Sequence, residues 1–419
     1  MIVQDVWQRK KIKYLFKIKN GGTPKSSEPT YWEPQEVVWI TPEDLSKGNS
    51  IINNSIRKIS YEGLKNSSAN LIRSGSIVMS TRAPIGNIKI SDVEFATNQG
   101  CKSLERNNKT DIRFFYYYFS INKEYLNQLG RGTTFLELSN EALKNIELRV
   151  PSLLEQQSIS DFLDEKTSQI DALISDKERL IELLEEKRQA VITETVTKGL
   201  DPNVKMKDSG IEWIGEVPEH WDTIKINYST RLKNKKSSSN CDLPYLGLEN
   251  VTSGTGKITN FNEGSEVEGQ SLLFNEGNIL FGKLRPYLMK CVLAPIGGIC
   301  TSEFLVLKTV NNLLSNKFLN YIMLSKSFNE KVNSSTYGAK MPRANWDFIR
   351  NISIPLPSRL EQDSLVCKIE SKINDIEQLI QQSVKQIHKL KEYRESLIYE
   401  AVTGKIDLRN YTTEKEEIY

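Results

Sequence analysis

Two stretches of the chain, 151 to 200 and 357 to 405, place apolar residues seven apart among charged ones. Leu163, Ile170, Leu184 and Val191 mark the rungs of the first, and Ile369, Ile376, Leu390 and Leu397 those of the second. Lys177 and Ser383 interrupt the same rung in both. A seven-residue repeat of this kind is the seam of a coiled coil, and a polar rung fixes its register. The companion row is read as Leu173 and Leu180 in the first stretch, and as Leu379 and Tyr393 in the second. Gly199 and Gly404 stand where each helix should stop. Further isoleucines (Ile174, Ile181, Ile373, Ile380, Ile387) exceed a two-row seam, so part of each helix is expected to be covered by a partner.

The two stretches are copies of each other. "PSLLEQQS" from Pro151 realigns with "PSRLEQDS" from Pro357 at an offset of 206, without a gap. Residues 151–197 and 357–403 share 18 identities in 47 positions, where composition alone would give about three. The match continues faintly upstream: Trp7, Ile12 and Tyr14 answer Trp221, Ile226 and Tyr228, and "WITPEDL" answers "YLGLENV". One unit is therefore written twice. The expected domains are a first globular region over 1–150, a helix over 151–200, a second globular region over 201–356, a helix over 357–405 and a charged tail over 406–419. Two copies can pair about a pseudo-two-fold axis, which sets their helices antiparallel, and DNA offers a matching local dyad.

Within the globular regions the pattern changes to short alternating runs bounded by turns, such as "GSIVMST", "GNIKISD", "GNILFGK" and "EFLVLKT", which predict strands. "DIRFFYYYFS" and "NKFLNYIMLS" predict helices whose aromatics belong to a core. The expected class is α+β: two tandem mixed α/β domains separated by two long helices in an antiparallel coiled coil. Near the glycines of the first region stand Arg82, Asn87, Asn98, Gln99 and Lys102. Arginine, asparagine and glutamine are the side chains suited to bidentate contact with guanine and adenine edges. The second region offers Lys283, Arg285, Tyr287 and Lys290 in "FGKLRPYLMK", with Lys233, Lys235 and Lys236 for phosphates. Any single one of these is more readily a solvated loop residue; their recurrence in both copies favours a nucleic-acid surface.

Composition narrows the classes without choosing one. The 419 residues are 38% apolar and 26% charged, with a net charge of +3, too small to argue for nucleic acid by itself. No apolar run approaches membrane length, the N-terminus lacks a secretory pattern, and five scattered cysteines with two histidines suggest a reducing cytoplasm and no zinc site. "GNILFGKL", 277–284, fits a phosphate loop only if Leu284 could replace the magnesium-binding hydroxyl, and its apolar centre reads as strand. No catalytic constellation is evident. A binding protein is expected, with a coiled-coil scaffold or a fused methyltransferase or nuclease as the alternatives.

The order of these segments resembles the DNA specificity subunit of type I restriction-modification systems. The "PSLLEQ" and "PLPSRLEQ" helix entries, "SGIEWIGEVPEHW" and "GKLRPYLMK" carry the likeness, which spans essentially the whole chain. It implies two target recognition domains that each read one half of a split sequence in double-stranded DNA, with the helices as a spacer. It further implies two modification subunits forming an adenine methyltransferase with S-adenosylmethionine. Two restriction subunits using ATP and magnesium can join that core. This chain would itself hold no active site and no cofactor.

Overall fold

The computed structural model describes residues 6–46, 48, 50–130, 136–237, 243–263, 270–336, 338, 340–409 and 411. The chain divides into two compact units, 1–176 with 386–419, and 177–385. The division cuts both long helices, Leu153–Lys198 and Arg359–Val402, so each unit owns a part of each.

In the first unit, Gln8–Lys11 pairs antiparallel with Glu147–Val150 and closes the ends of the globular region. Its main sheet runs Phe16–Asn20, Cys101–Arg106, Ser76–Ser80, Ile88–Ser91 and Ile51–Ile52, antiparallel except for the last, parallel pair. A smaller sheet joins Lys58–Ile59, Val37–Ile40 and Phe95–Thr97. Helix Ile112–Ile121 starts at Asp111, whose carboxylate accepts from the backbone N–H of Arg113 and Phe114, the usual chemistry of an N-cap. Its Phe114, Phe115 and Phe119 are fully buried, so these aromatics are core residues.

The second unit repeats the plan with different lengths. Asp222–Lys225 pairs with Ser353–Leu356, and Thr230–Lys233, Phe304–Thr309, Ile279–Gly282 and Cys291–Leu293 form a four-stranded antiparallel sheet. A second sheet takes Lys236–Ser237, Ser271–Phe274, Gly298–Thr301, Pro244–Leu246 and Asn262–Glu263. Ile279–Gly282 is thus a buried strand, which removes the phosphate-loop reading. The "SGIEWIGEVPEHW" segment is a packing element: Ile214, Val217 and Trp221 enter the second core with Phe318 and Phe328.

The repeated "EQ" turns out to clamp each helix to its unit. Trp7 Nε1 donates to Glu155 at 3.1 Å, and Trp221 Nε1 donates to Glu361 at 2.9 Å. Gln156, buried, donates to the Pro151 carbonyl at 3.0 Å and accepts from the Asp111 N–H at 2.8 Å. Gln362 does the same with the Pro357 carbonyl and the Ser315 N–H, at 3.0 and 2.8 Å. Ser152 and Ser358 cap the two helices through the N–H of Glu155 and Glu361. Arg113 then bridges Asp111, Asp161 and Asp164, and Lys317 to Glu370 is the simpler counterpart. At the far ends, Gly199 and Gly404 take positive φ, 78° and 70°, as a left-handed helix terminus requires.

The seam differs from its sequence reading in one row. Leu163, Ile170 and Leu184 are buried with Val191 half-buried, and Ile369, Ile376 and Leu397 are buried with Leu390 half-buried. Their partners, however, are Thr167, Ile174, Ile181, Arg188 and Thr195, answered by Ile373, Ile380, Ile387, Arg394 and Ala401. Leu173, Leu180, Leu379 and Tyr393 are 43, 40, 49 and 58% exposed. The reason is geometric: heptad rows alternate steps of three and four, so from Ile170 the next seam residue is Ile174, and Leu173 falls a quarter-turn outside. Ile174, Ile181, Ile373, Ile380 and Ile387 therefore face inward. In the first unit the pairing is antiparallel, since Phe162 meets Tyr411 and Asp171 meets Arg394.

Candidate nucleic-acid interface

Both main sheets gather their loops at one end. In the first unit the strands ending at Asn20, Ile40, Ser80 and Thr97, and the strand beginning at Cys101, all reach it. Thr81 N–H donates to the Gly100 carbonyl, Leu138 N–H to Thr81, Asn98 N–H to Ile40 and Gly22 N–H to Thr97. These bonds tie four loops into one surface.

The candidate readers are not equally free on it. Arg82 is exposed but its Nε sits 3.1 Å from Glu137. Gln99 is exposed and accepts a hydrogen bond from the Thr23 hydroxyl. Asn87 accepts from Lys123 Nζ at 2.6 Å. Asn98 is turned onto its own loop, where its Oδ1 takes the Gly100 N–H at 3.0 Å. Lys102 is buried at 6% exposure; burial pushes its ammonium below the ordinary lysine range, Glu137 opposes this and Arg82 adds to it. Asn98 and Lys102 are thus framework residues, and the open donors are Arg82 and Gln99.

In the second unit the loop after Ile279–Gly282 is held at its root. Lys283 N–H donates to the Glu303 carbonyl, Ala344 N–H to Lys283 and Arg285 N–H to the Pro342 carbonyl at 2.7 Å. Arg343 grips Glu303 through Nε at 3.2 Å and Nη2 at 3.0 Å. Between these anchors Arg285 and Met289 both adopt left-handed backbone, φ 51° and 49°, which costs about 1–2 kcal/mol for each non-glycine residue. The strained turn thrusts Arg285 and Tyr287 into solvent, and strain of this kind gathers where a loop must present a side chain. Lys290 points back, donating to the Leu248 carbonyl at 2.7 Å. Lys283 and Lys233 are half-buried, while Lys235 and Lys236 are exposed beyond the neighbouring strand end.

Four residues of this framework are not among the sequence-read candidates: Lys123, Glu137, Glu303 and Arg343. Glu137 and Arg343 lie 206 apart, the repeat offset, with opposite charge. The first unit pairs Glu137 with Arg82, the second Arg343 with Glu303. One junction is locked in both units by an ion pair of reversed sense, a signal that the offset alignment carries. Cys241 lies outside the described residues; Cys101, Cys291 and Cys300 are buried thiols and Cys367 is exposed. Among the described residues no helix is long and apolar enough to cross a membrane.

A twice-written globular unit, each copy clamped to a long helix and carrying a tied loop surface, defines a protein of paired recognition domains. Residues 4–183 and 218–387 each match the type I restriction modification DNA specificity domain, and the chain belongs to that family. It is 25% identical over 418 residues to the type I restriction enzyme MjaIX specificity subunit of Methanocaldococcus jannaschii, covering 96% of this chain and 93% of that one. It is 22% identical to the EcoDI specificity subunit of Escherichia coli, over 70% of each chain. The fold is similar to that of a chain from a structural study of type I R-M complex assembly, with a TM-score of 0.71, 14% identity, and 96 and 98% of the two chains covered. The HsdS subunit of Thermoanaerobacter tengcongensis aligns with a TM-score of 0.54 at 14% identity, over 96 and 97%. The family is one of DNA specificity, not catalysis.

Proposed function

We propose that the chain reads a split target in double-stranded DNA, one half-site by each unit, and hands that target to partner subunits. The observation that carries this is the loop surface present in both units of a two-copy specificity-domain chain, built on one framework but displaying different side chains. Two modification subunits would supply adenine methylation with S-adenosylmethionine, and two restriction subunits would add ATP- and magnesium-dependent cleavage. The half-sites should differ, because Arg82 and Gln99 have no positional equals in the Arg285 and Tyr287 loop.

The test is methylation mapping with reconstituted complex. Arg285→Ala is expected to relax one half-site by about 1–3 kcal/mol, the worth of a bidentate arginine contact, leaving the other half's bases intact. Arg82→Ala should act on the opposite half-site and more weakly, since binding DNA must first release Glu137. An unchanged set of modified sites, at unchanged relative rates, would remove either residue from the reading surface.

The exposed leucines supply a second expectation. Leu180 and Leu183 stand out on the first helix at 40 and 45% exposure, and rows of this kind mark contact surfaces. The double variant Leu180→Asp, Leu183→Asp is expected to cut capture of the modification subunit at least tenfold, while the isolated chain unfolds within about 0.5 kcal/mol of the parent, as for surface changes generally. Equal capture at matched concentrations would place the partner elsewhere.

A further inference from the structure

Arg188 is a buried cation without a counter-ion. It occupies a seam position, 8% exposed, its Nε has no hydrogen-bond partner, and none of the ion pairs among the described residues includes it. Its repeat counterpart Arg394, in the first unit, is paired: Nε lies 2.9 Å from Asp171 Oδ1, and Nη2 donates to Oδ2 at 3.3 Å. The residue that should play Asp171's part in the second unit is Glu377, at the same offset of 206. Glu377 is taken instead by Lys257, reaching in from the loop 252–258. A guanidinium stripped of water and left unpaired is unfavourable, and a native fold keeps such a group where something else completes it.

An open cavity of about 860 Å³ lies over this residue, entirely within the second unit. Helix residues 185–194 form one wall, the strained turn 287–289 another, and Lys326, Ser327 and Glu330 a third. Gln189 Oε1 and Ser327 Oγ are also buried without partners, so three polar atoms of the cavity await a ligand. Tyr287, Leu288, Met289 and Ala190 give it apolar walls, and Glu185, Glu186, Glu194 and Glu330 ring it with carboxylates.

We propose that this cavity docks a carboxylate side chain of the modification subunit, presented among basic and apolar residues, with Arg188 as its anchor. The inference rests on the partner proposed above. Four surrounding carboxylates repel a DNA backbone and a free dianion alike, but they complement a protein segment in which one acid is flanked by lysines or arginines. The place is also continuous with the exposed leucine row: Leu183 precedes Arg188 by five residues, about 7.5 Å along the helix, so a partner covering one reaches the other. Gln189 Nε2 holds the Gly254 carbonyl at 2.7 Å, and Gly254 N–H donates to Met289. The occupied cavity therefore abuts the turn that presents Arg285.

Arg188→Met tests this in the full chain. Methionine fills the same seam position without a charge, so the isolated chain should melt at the same temperature as the parent or higher, while its affinity for the modification subunit falls at least tenfold and loses most of its salt dependence. A lowered melting temperature with unchanged affinity would make Arg188 a purely structural residue and overturn the inference. Weaker binding of a DNA duplex with undiminished subunit capture would assign the cavity to a phosphate and overturn it too. Self-association of the isolated parent chain that Arg188→Met abolishes would assign it to a second copy. Unaltered capture by Arg188→Met when the parent chain assembles normally rejects the anchor alone; failure of the parent chain to assemble rejects the partner reading and this one together.

Discussion

Gln156→Leu is expected to destabilise the first unit by about 2–5 kcal/mol, although leucine suits the buried volume. The loss is polar. The substitution leaves the Asp111 N–H and the Pro151 carbonyl without the bonds they now make at 2.8 and 3.0 Å, and each buried group so orphaned costs ~1–3 kcal/mol. Both belong to joints: Pro151 leads into the long helix, and Asp111 caps helix Ile112–Ile121. Gln362→Leu should cost at least as much in the second unit, because Gln362 also donates to the Leu313 carbonyl at 2.7 Å. For units of this size the change corresponds to a fall in melting temperature of roughly 4–20 °C. Hydrogen exchange separates the two variants: Gln156→Leu should deprotect 112–121 first, Gln362→Leu 316–324. If either variant melts within a degree of the parent, the clamp does not hold the helix.

That clamp shows what the sequence makes legible and what it hides. The repeated "EQ" was visible as a repeat, but its role depends on Trp7 and Asp111, which lie far away in the chain and only the fold brings to it. The heptad rungs at Leu163, Ile170, Ile369 and Ile376 were legible because they are apolar in both copies. Their companions were not, since Thr167, Arg188, Thr195 and Arg394 are polar residues at seam positions, and the leucines at 173 and 180 gave a stronger apolar pattern one step aside. The strands were legible from alternation and their turns. In the loops, residue type alone does not say which way a side chain faces. Asn98 satisfies its own turn, Lys102 is buried beside Glu137, and Lys290 binds a carbonyl, whereas Arg82 and Arg285 stay exposed. Only the hydrogen bonds at the loop roots separate these two groups.

The same bonds decide where the spacer can be lengthened. The turn that follows Ser160 looks free in sequence, because it precedes the first rung at Leu163. The fold places it inside the clamp: Ser160 Oγ donates to Asp111 at 2.9 Å, and beyond it Asp164 binds Arg113 at 2.7 Å and accepts from the Tyr117 hydroxyl at 2.7 Å. An insertion there would tear one half of this contact from the other and unfold the joint. The helix is free of both globular regions only near the division of the units, at 176 in the first helix and 385 in the second. Four residues added after Asp176 and four after Lys385 lengthen both helices by ~6 Å, about two base pairs at 3.4 Å each. The matched insertions keep every seam residue on either side opposite its present neighbours, and the four-residue stutter only unwinds the coil locally. Each reading surface is untouched. Sequencing of methylated sites should then return the same two half-sites, with the unread spacer changed by one or two base pairs. Four residues also turn a helix by about 40°, against roughly 70° for two base pairs at 10.5 per turn, so weaker overall binding is expected alongside the new spacing. Altered half-site bases at the original spacing would mean that the helices help to read the sequence as well as to measure it.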